Sequence, residues 1–227
     1  MTLVPSLCSA RKFMILYALP ISNFCSKVAI VLRHKQIPHQ ILPPPGGYGS
    51  AKYKQVVPTG KIPGLVDDRL VLSESEAINE YLEECYPNPV MLPEDPAKRA
   101  LIRQLSRHHD LTVEPIIRSL FGQVAPKTRN AEVLESKATE LQKQLSMLAE
   151  LSNPQPFLLT SEISLADVGY APTLLLGELM WESFGMSWNL PPRLKEWQQS
   201  LQTIHAVSET LKEAHEATTT WIASKQG

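Results

Sequence analysis

The chain has 227 residues, enough for one large or two modest domains with a sizeable core. Lys and Arg total 22 against 23 for Asp and Glu, so no bulk field recruits nucleic acid or an anionic membrane. No apolar run approaches the roughly 20 residues that span a bilayer, and three widely spaced cysteines (Cys8, Cys25, Cys85) fit a reducing compartment without a disulfide framework.

In chain order, residues 1–12 end on Arg11 and Lys12 after a short apolar stretch, the reverse of a secretory leader. They are expected to form an N-terminal extension of a cytoplasmic protein. Residues 13–17 (Phe-Met-Ile-Leu-Tyr) are continuously apolar, as a buried strand is. Residues 22–35 place Val28, Ile30, Val31 and Leu32 in a helix that starts near Ser22. Gln36-Ile37-Pro38 ends it, and 39–42 reads as a second strand. Strand, helix and strand in about 30 residues make a βαβ unit with a right-handed crossover.

Pro43-Pro44-Pro45-Gly46-Gly47-Tyr48-Gly49 is a loop by composition. In Val57-Pro58-Thr59-Gly60-Lys61-Ile62-Pro63-Gly64-Leu65-Val66, Ile62 precedes a proline and is driven to extended backbone, and a tight turn there suits a cis bond. Such a residue offers its N–H and C=O to a peptide-like ligand as an edge strand does. Asp67-Asp68 is a turn signal between strands at 62–66 and 70–72. Leu72-Ser73-Glu74-Ser75-Glu76-Ala77-Ile78 then opens a helix that ends near Cys85 and whose N-terminus attracts anions. The whole span suits a small, extended, carboxylate-bearing peptide.

Pro87, Pro89, Pro93 and Pro96 mark 87–96 as an interdomain linker. Beyond it, Leu101, Ile102, Leu105, Val113, Ile116, Ile117 and Leu120 keep helical spacing, with a kink expected at Pro115. Arg99, Arg103 and Arg107 form a basic stripe that faces either solvent or an acidic partner surface. His108-His109-Asp110 has the residue types of a metal or acid/base cluster, yet helix neighbours point about 100° apart, and no metal site is expected. Leu134, Ala138, Leu141, Leu145 and Leu148 form an antiparallel packing seam. Ser164-Leu165-Ala166-Asp167 reads as a capping box opening an apolar helix through Leu179. Pro191-Pro192 opens another helix, and 206–224 closes the chain. The expected fold is α/β plus all-α, with domains at 13–86 and 97–227.

The Gly60-Lys61-Ile62-Pro63 turn, Glu74-Ser75 with Ala77-Ile78, the box at 164–167, and Pro191, Arg193, Leu194 and Trp197 before Ile204-His205-Ala206-Val207 resemble the soluble glutathione transferase family in order and spacing. The resemblance covers nearly all of the chain past residue 12. It implies a thioredoxin-like N-terminal domain that binds glutathione as co-substrate, with no metal, and a helical domain that carries the electrophile site. By position, the backbone of Ile62, before Pro63, pairs with the cysteinyl part of the tripeptide, and Glu74 and Ser75 hold its γ-glutamyl end. Lys61 lies near the glycyl carboxylate. Glu74 suits the ligand's ammonium, and the Ser75 hydroxyl and helix N-terminus suit its α-carboxylate. The same residues also serve as an ordinary helix start. The implied partners are a second copy, in a homodimer, and a small hydrophobic electrophile.

Glutathione reacts as its thiolate, and a free thiol titrates near about 8.5. Lowering that by one unit takes about 1.4 kcal/mol, which one hydrogen bond to sulfur plus a helix dipole supplies. Ser22 stands where serine-type classes such as tau and zeta carry their catalytic serine, and Tyr17 where tyrosine-type classes carry theirs. Ser22 is favoured, since serine-type classes also have a tyrosine at the strand end. Tyr17 and Asn23 are the alternatives, and a plain helix cap is the bland role for Ser22. Asn23 replaces the usual proline or second serine, and Lys27 a usual arginine, so the subclass is unassigned. Ser22-Asn23-Phe24-Cys25 lies where glutaredoxin-like relatives place Cys-x-x-Cys; with serine first, mixed-disulfide chemistry is lost, and Cys25 is expected to be buried and inert.

The electrophile pocket is expected between the domains, lined by Leu19, Ile21, Arg107, His108, Val113 and Trp221. The leading function is glutathione transfer to a hydrophobic electrophile. Its rivals are a non-catalytic carrier of the same fold and a glutathione-dependent isomerase or reductase.

Overall fold

A mixed four-stranded sheet organises the first part of the computed structural model, which describes residues 14–68 and 70–226. The extension expected at 1–12, Cys8 and the first residue of the 13–17 strand lie outside the described residues. Strand β1 (Met14–Tyr17) is followed by α1 (Asn23–His34) and β2 (Gln40–Leu42), then α2 (Ala51–Lys54), β3 (Gly64–Asp67), β4 (Leu70–Ser73) and α3 (Ser75–Cys85). The strand order is β2-β1-β3-β4; β1 and β2 are parallel, and β3 runs antiparallel to both of its neighbours. Residues Met14 and Leu16 point into the core while Ile15 and Tyr17 are half-buried, so the apolar run alternates in depth. Ser22 is the N-cap of α1, and the buried Val28, Ile30, Val31 and Leu32 carry that helix into the core.

The expected linker is a pinned strap. The buried Lys35 ammonium donates to the carbonyls of Tyr86 (2.7 Å) and Pro89 (2.6 Å) and pairs with Glu83 at 2.5 Å. Glu83 Oε1 in turn accepts the N–H groups of Met91 and Leu92 at 2.9 and 2.8 Å, and both of those side chains are buried.

The second part is helical: α4 (Pro96–His108), a π turn (His109–Val113), α5 (Glu114–Ser119), α6 (Ala131–Leu151), α7 (Tyr170–Phe184), α8 (Pro192–Gln202) and α9 (His205–Gln226). The kink expected at Pro115 takes the form of that π turn. Proline has no N–H to return to Leu111, and the Glu114 N–H reaches one residue further back, to the carbonyl of His109. Helix α6 buries Leu134, Leu141, Leu145 and Leu148 as its spacing predicts. Leu101, by contrast, is 47% exposed; α4 turns Ile102, Leu105 and Ser106 inward instead.

The apolar helix expected from Ser164 begins only at Tyr170, because the Asp167 carboxylate is a hub rather than a simple cap. Fully buried, it accepts from the Ser164 N–H and hydroxyl, the Leu158 N–H and the Trp197 indole at 2.7–3.0 Å. Two of the three stripe residues are engaged within the chain: Arg103 grips Glu80 through two bonds of 2.6 Å, and Arg107 turns toward Asp110. Arg33 ties α1 to α9 through Thr210 and Glu213. Among the described residues no helix is long and apolar enough to cross a membrane.

Candidate active site

Tyr17, Gly64 and Ser73 stand opposite one another in the sheet register. The segments that leave this end therefore converge: 18–22 after β1, 61–63 before β3 and 74–75 after β4. Together with one face of α4 and α5 and the end of α9, they enclose a cavity of about 670 Å³, within the range of small-molecule sites.

The turn before β3 is held from behind. The Ile62–Pro63 bond is cis, and the buried Tyr53 hydroxyl donates to the Lys61 carbonyl at 2.9 Å. Gly64 is required here, since a Cβ would come within 2.5 Å of that hydroxyl. After β4, Glu74 has φ 78° and ψ 112°, a conformation that costs a non-glycine residue about 1–3 kcal/mol. It swings the chain so that Ser75, buried at 6% exposure, begins α3 against the cavity. The Lys61 ammonium pairs with Glu74 at 3.2 Å, both side chains being about two-thirds exposed, so the pair adds little stability and opens readily.

At the start of α1, Ser22 Oγ accepts the Cys25 N–H at a long 3.4 Å and borders the cavity. Asn23 lines the cavity beside it. Cys25 lies behind, at 2% exposure; burial pushes its thiol up to about 11, against smaller lowering by bonds to Ser22 and the Leu19 backbone. Such a thiol is unreactive at neutral pH. Tyr17 does not reach the cavity: its ring packs edge-on to Tyr53 with centroids 5.6 Å apart.

Beneath this corner lies a buried polar joint. Lys27 is fully buried and donates to Glu76 (2.7 Å), Ser106 (3.1 Å) and both oxygens of Asp110 (2.9 and 3.0 Å). His109 sits on Asp110 at 2.7 Å and on Thr173 at 2.8 Å. Burial lowers the His109 pKa, so the neutral ring donates Nδ1–H to Asp110 and accepts from Thr173. Adjacent residues are not expected to meet on a regular helix; the π turn is what brings His109 and Asp110 together. Among the described residues no group of three or more His, Cys, Asp or Glu has the arrangement of a metal site.

The rest of the cavity is mostly apolar. Leu19, Ile21 and Phe24 form one side, and Leu111 and Phe121 face them, with Trp221 against Phe121 at 5.0 Å between centroids. Arg107, Asp110, Glu114 and Arg118 interleave with this wall. Two expected wall residues are elsewhere. Val113 is fully buried in the helical core, and His108 is bonded to the Tyr170 hydroxyl (2.9 Å) and Gln144 (3.2 Å). The rotation of about 100° per helical residue that turns Arg107 to the cavity carries His108 away from it. Sequence reasoning missed Phe24, Tyr48, Glu76, Asp110, Leu111, Glu114, Arg118 and Phe121 as lining residues. The spacing 107, 111, 114, 118 and 121, which starts from the expected Arg107, is the signal that could have found half of them.

Residues 16–90 match the family model of the glutathione S-transferase N-terminal domain. A maleylacetoacetate isomerase from Rattus norvegicus is 30% identical over 173 residues, 72% of this chain and 78% of its own. Glutathione S-transferase 3 of Zea mays is 31% identical over 69% of this chain and 74% of its own. A stringent starvation protein A homolog from Pasteurella multocida (strain Pm70) is 28% identical over 74% and 77%. Among solved structures, the tau class glutathione S-transferase of mango, Mangifera indica, superimposes with a TM-score of 0.78 at 21% identity, covering 93% of this chain and 98% of that one, a likeness of fold.

Proposed function

Since the chain belongs to the glutathione transferase superfamily, we propose that it is a glutathione transferase acting on a hydrophobic electrophile. One observation carries this reading: the Ser22 hydroxyl, the Ile62–Pro63 turn and the Glu74-Ser75 pair border one cavity whose far side offers Leu111, Phe121 and Trp221 among charged side chains. In the proposal, residues 13–86 bind the tripeptide, 87–96 connect, and 97–227 carry the acceptor. The Ile62 backbone and Pro63 seat the cysteinyl part, Lys61 meets a ligand carboxylate, and Glu74 and Ser75 hold the γ-glutamyl end. Ser22 donates to sulfur, so the thiol proton passes to water and the thiolate attacks the acceptor, forming a C–S bond as the acceptor's leaving group departs with its bonding pair or its π pair shifts away from that carbon. A homodimer in the cytoplasm is the proposed working form, on the family's habit alone.

A second reading, glutathione-dependent isomerisation, is favoured by the maleylacetoacetate isomerase relative. It uses the same thiolate but returns glutathione unchanged, so no conjugate accumulates. Mass analysis of products from glutathione and an activated aryl chloride separates the two. Conjugate formation at a rate that falls at least tenfold in Ser22→Ala supports transfer. Glutathione binding without conjugate turns the assignment to isomerisation or carriage, and absence of glutathione binding removes the proposal.

A further inference from the structure

We propose that Arg118 stabilises negative charge developing on the acceptor, so that the preferred electrophiles are conjugated carbonyl compounds and nitroarenes rather than simple alkyl halides. This rests on the transferase reading above. Arg118 is set on the cavity wall by two restraints. Its Nε and Nη2 donate to the two oxygens of Glu114 at 3.1 and 2.5 Å, and its guanidinium carbon lies 5.3 Å above the centre of the Phe24 ring. Glu114, one helical turn earlier, is only 2% exposed. One edge of the guanidinium fork is thus consumed, while Nη1 donates to no acceptor among the described residues.

The other cations in or beneath the cavity are committed differently. Lys27 spends its donors on Glu76, Ser106 and Asp110. Lys61 stands at the exposed turn before β3, paired with Glu74. Arg107 reaches only an oxygen of Asp110, at 3.5 Å, which Lys27 already holds. Arg118 is therefore the oriented cation among the aromatic side chains Phe24, Phe121 and Trp221. Glu114 is buried while about half of the Arg118 side chain is exposed, so the pair fixes the guanidinium at the cavity rim more than it adds stability. Fixed donors aimed at developing charge, in a site poor in water, are an effective way to lower a barrier.

The electron flow identifies the substrate class. With a conjugated carbonyl, the thiolate pair forms the C–S bond at the β-carbon, and the C=C pair moves to the carbonyl oxygen, giving an enolate. Arg118 Nη1–H hydrogen-bonds that oxygen. The α-carbon then takes a proton from water, balancing the proton lost when the thiol ionised. With a halonitroarene, the charge rests on the nitro oxygens until the carbon–halogen pair departs with halide. With an alkyl halide, the charge leaves on the halide directly and no oxygen develops charge for Arg118 to meet.

The test compares kcat/KM for 4-phenylbut-3-en-2-one and for benzyl chloride, each with glutathione, on the full chain. Arg118→Met removes the donor but orphans the Glu114 carboxylate, so the double variant Arg118→Met, Glu114→Gln is measured beside it. The enone-to-halide ratio is expected to fall about 100-fold in both, the usual cost of losing one oxyanion donor, with partial recovery in Arg118→Lys. Parallel losses on the two acceptors, or a ratio shifted by less than threefold, overturn the inference while leaving the transferase reading standing. A wild-type protein that conjugates neither acceptor contradicts that reading and the inference with it.

Discussion

Lys27→Met strikes the polar joint under the site, and its effect can be worked from distances. The Lys27 ammonium lies 2.7 Å from Glu76 and 2.9 Å from Asp110, and no part of its side chain reaches solvent. It ties α1 to α3 and to the π turn after α4. Methionine fills the space but leaves the Glu76 and Asp110 carboxylates without the ammonium, only the 3.5 Å contact of Arg107 with Asp110 remaining. Breaking a buried pair in this way costs about 3–5 kcal/mol. For a chain of this size each kcal/mol moves Tm by about 2–4 °C, so a loss of about 6–20 °C is expected at pH 7.

The pH dependence has a definite sign. Burial pushes the Asp110 carboxyl up, but the His109 hydrogen bond and the Lys27 charge prevail and hold it below the usual carboxylate range. A depressed folded pKa gives stability that is present above the unfolded value of about 3.9 and is lost as pH falls toward the folded one. Methionine removes the Lys27 share, the Asp110 pKa rises, and the variant regains relative stability on acidification. Calorimetric Tm values at pH 7 and pH 3 should therefore show a gap that narrows at the lower pH. A gap under about 2 °C, or one identical at both pH values, would refute the reasoning.

Three other outcomes follow from the same geometry. Cys25, its thiol raised to about 11 by burial, should stay unalkylated when the folded protein meets iodoacetamide at pH 7.5; peptide mass analysis showing rapid labelling there would contradict this. Trp221→Ala, which removes the ring stacked near Phe121, should raise the acceptor KM about tenfold with little change in kcat, and an unaltered KM would detach α9 from the acceptor site. Asp167→Asn places an amide where one carboxylate takes four donors, and should cost about 3 kcal/mol and about 6–12 °C of Tm; a loss under 2 °C would mean the hub is not structural.

Much of the fold was legible because local signals and packing agree. The 13–17 run, the Ile62–Pro63 turn, the Asp67-Asp68 signal and the seam through Leu134 and Leu148 each correspond to an observed element. Several of the misses share one cause: helical spacing says which residues share a face but not what covers that face. Leu101 has the right period yet faces outward, and Arg103 left the basic stripe because Glu80 of α3 lies within reach. Pro115 announced a kink but not its form, and the π turn changed which of His108, His109 and Asp110 could meet. Glu74 carried no sequence sign of its left-handed backbone, because only the geometry between β4 and α3 demands it. On the cavity wall, Arg118 and Glu114 are an ordinary i,i+4 pair in sequence; the place of Arg118 over the Phe24 ring depends on where the fold sets α5 relative to the start of α1.

The central claim, that Ser22 activates a bound glutathione thiol, meets its most direct test in the ultraviolet absorbance of the thiolate titrated against pH on wild type and Ser22→Ala. A hydrogen bond to an anion is worth about 1.5–3 kcal/mol, or about 1–2 pKa units. The bound thiol should thus titrate about 1–2 units below its free value of about 8.5 in the wild type and return toward that value in the variant. The same midpoint in both proteins would contradict the account.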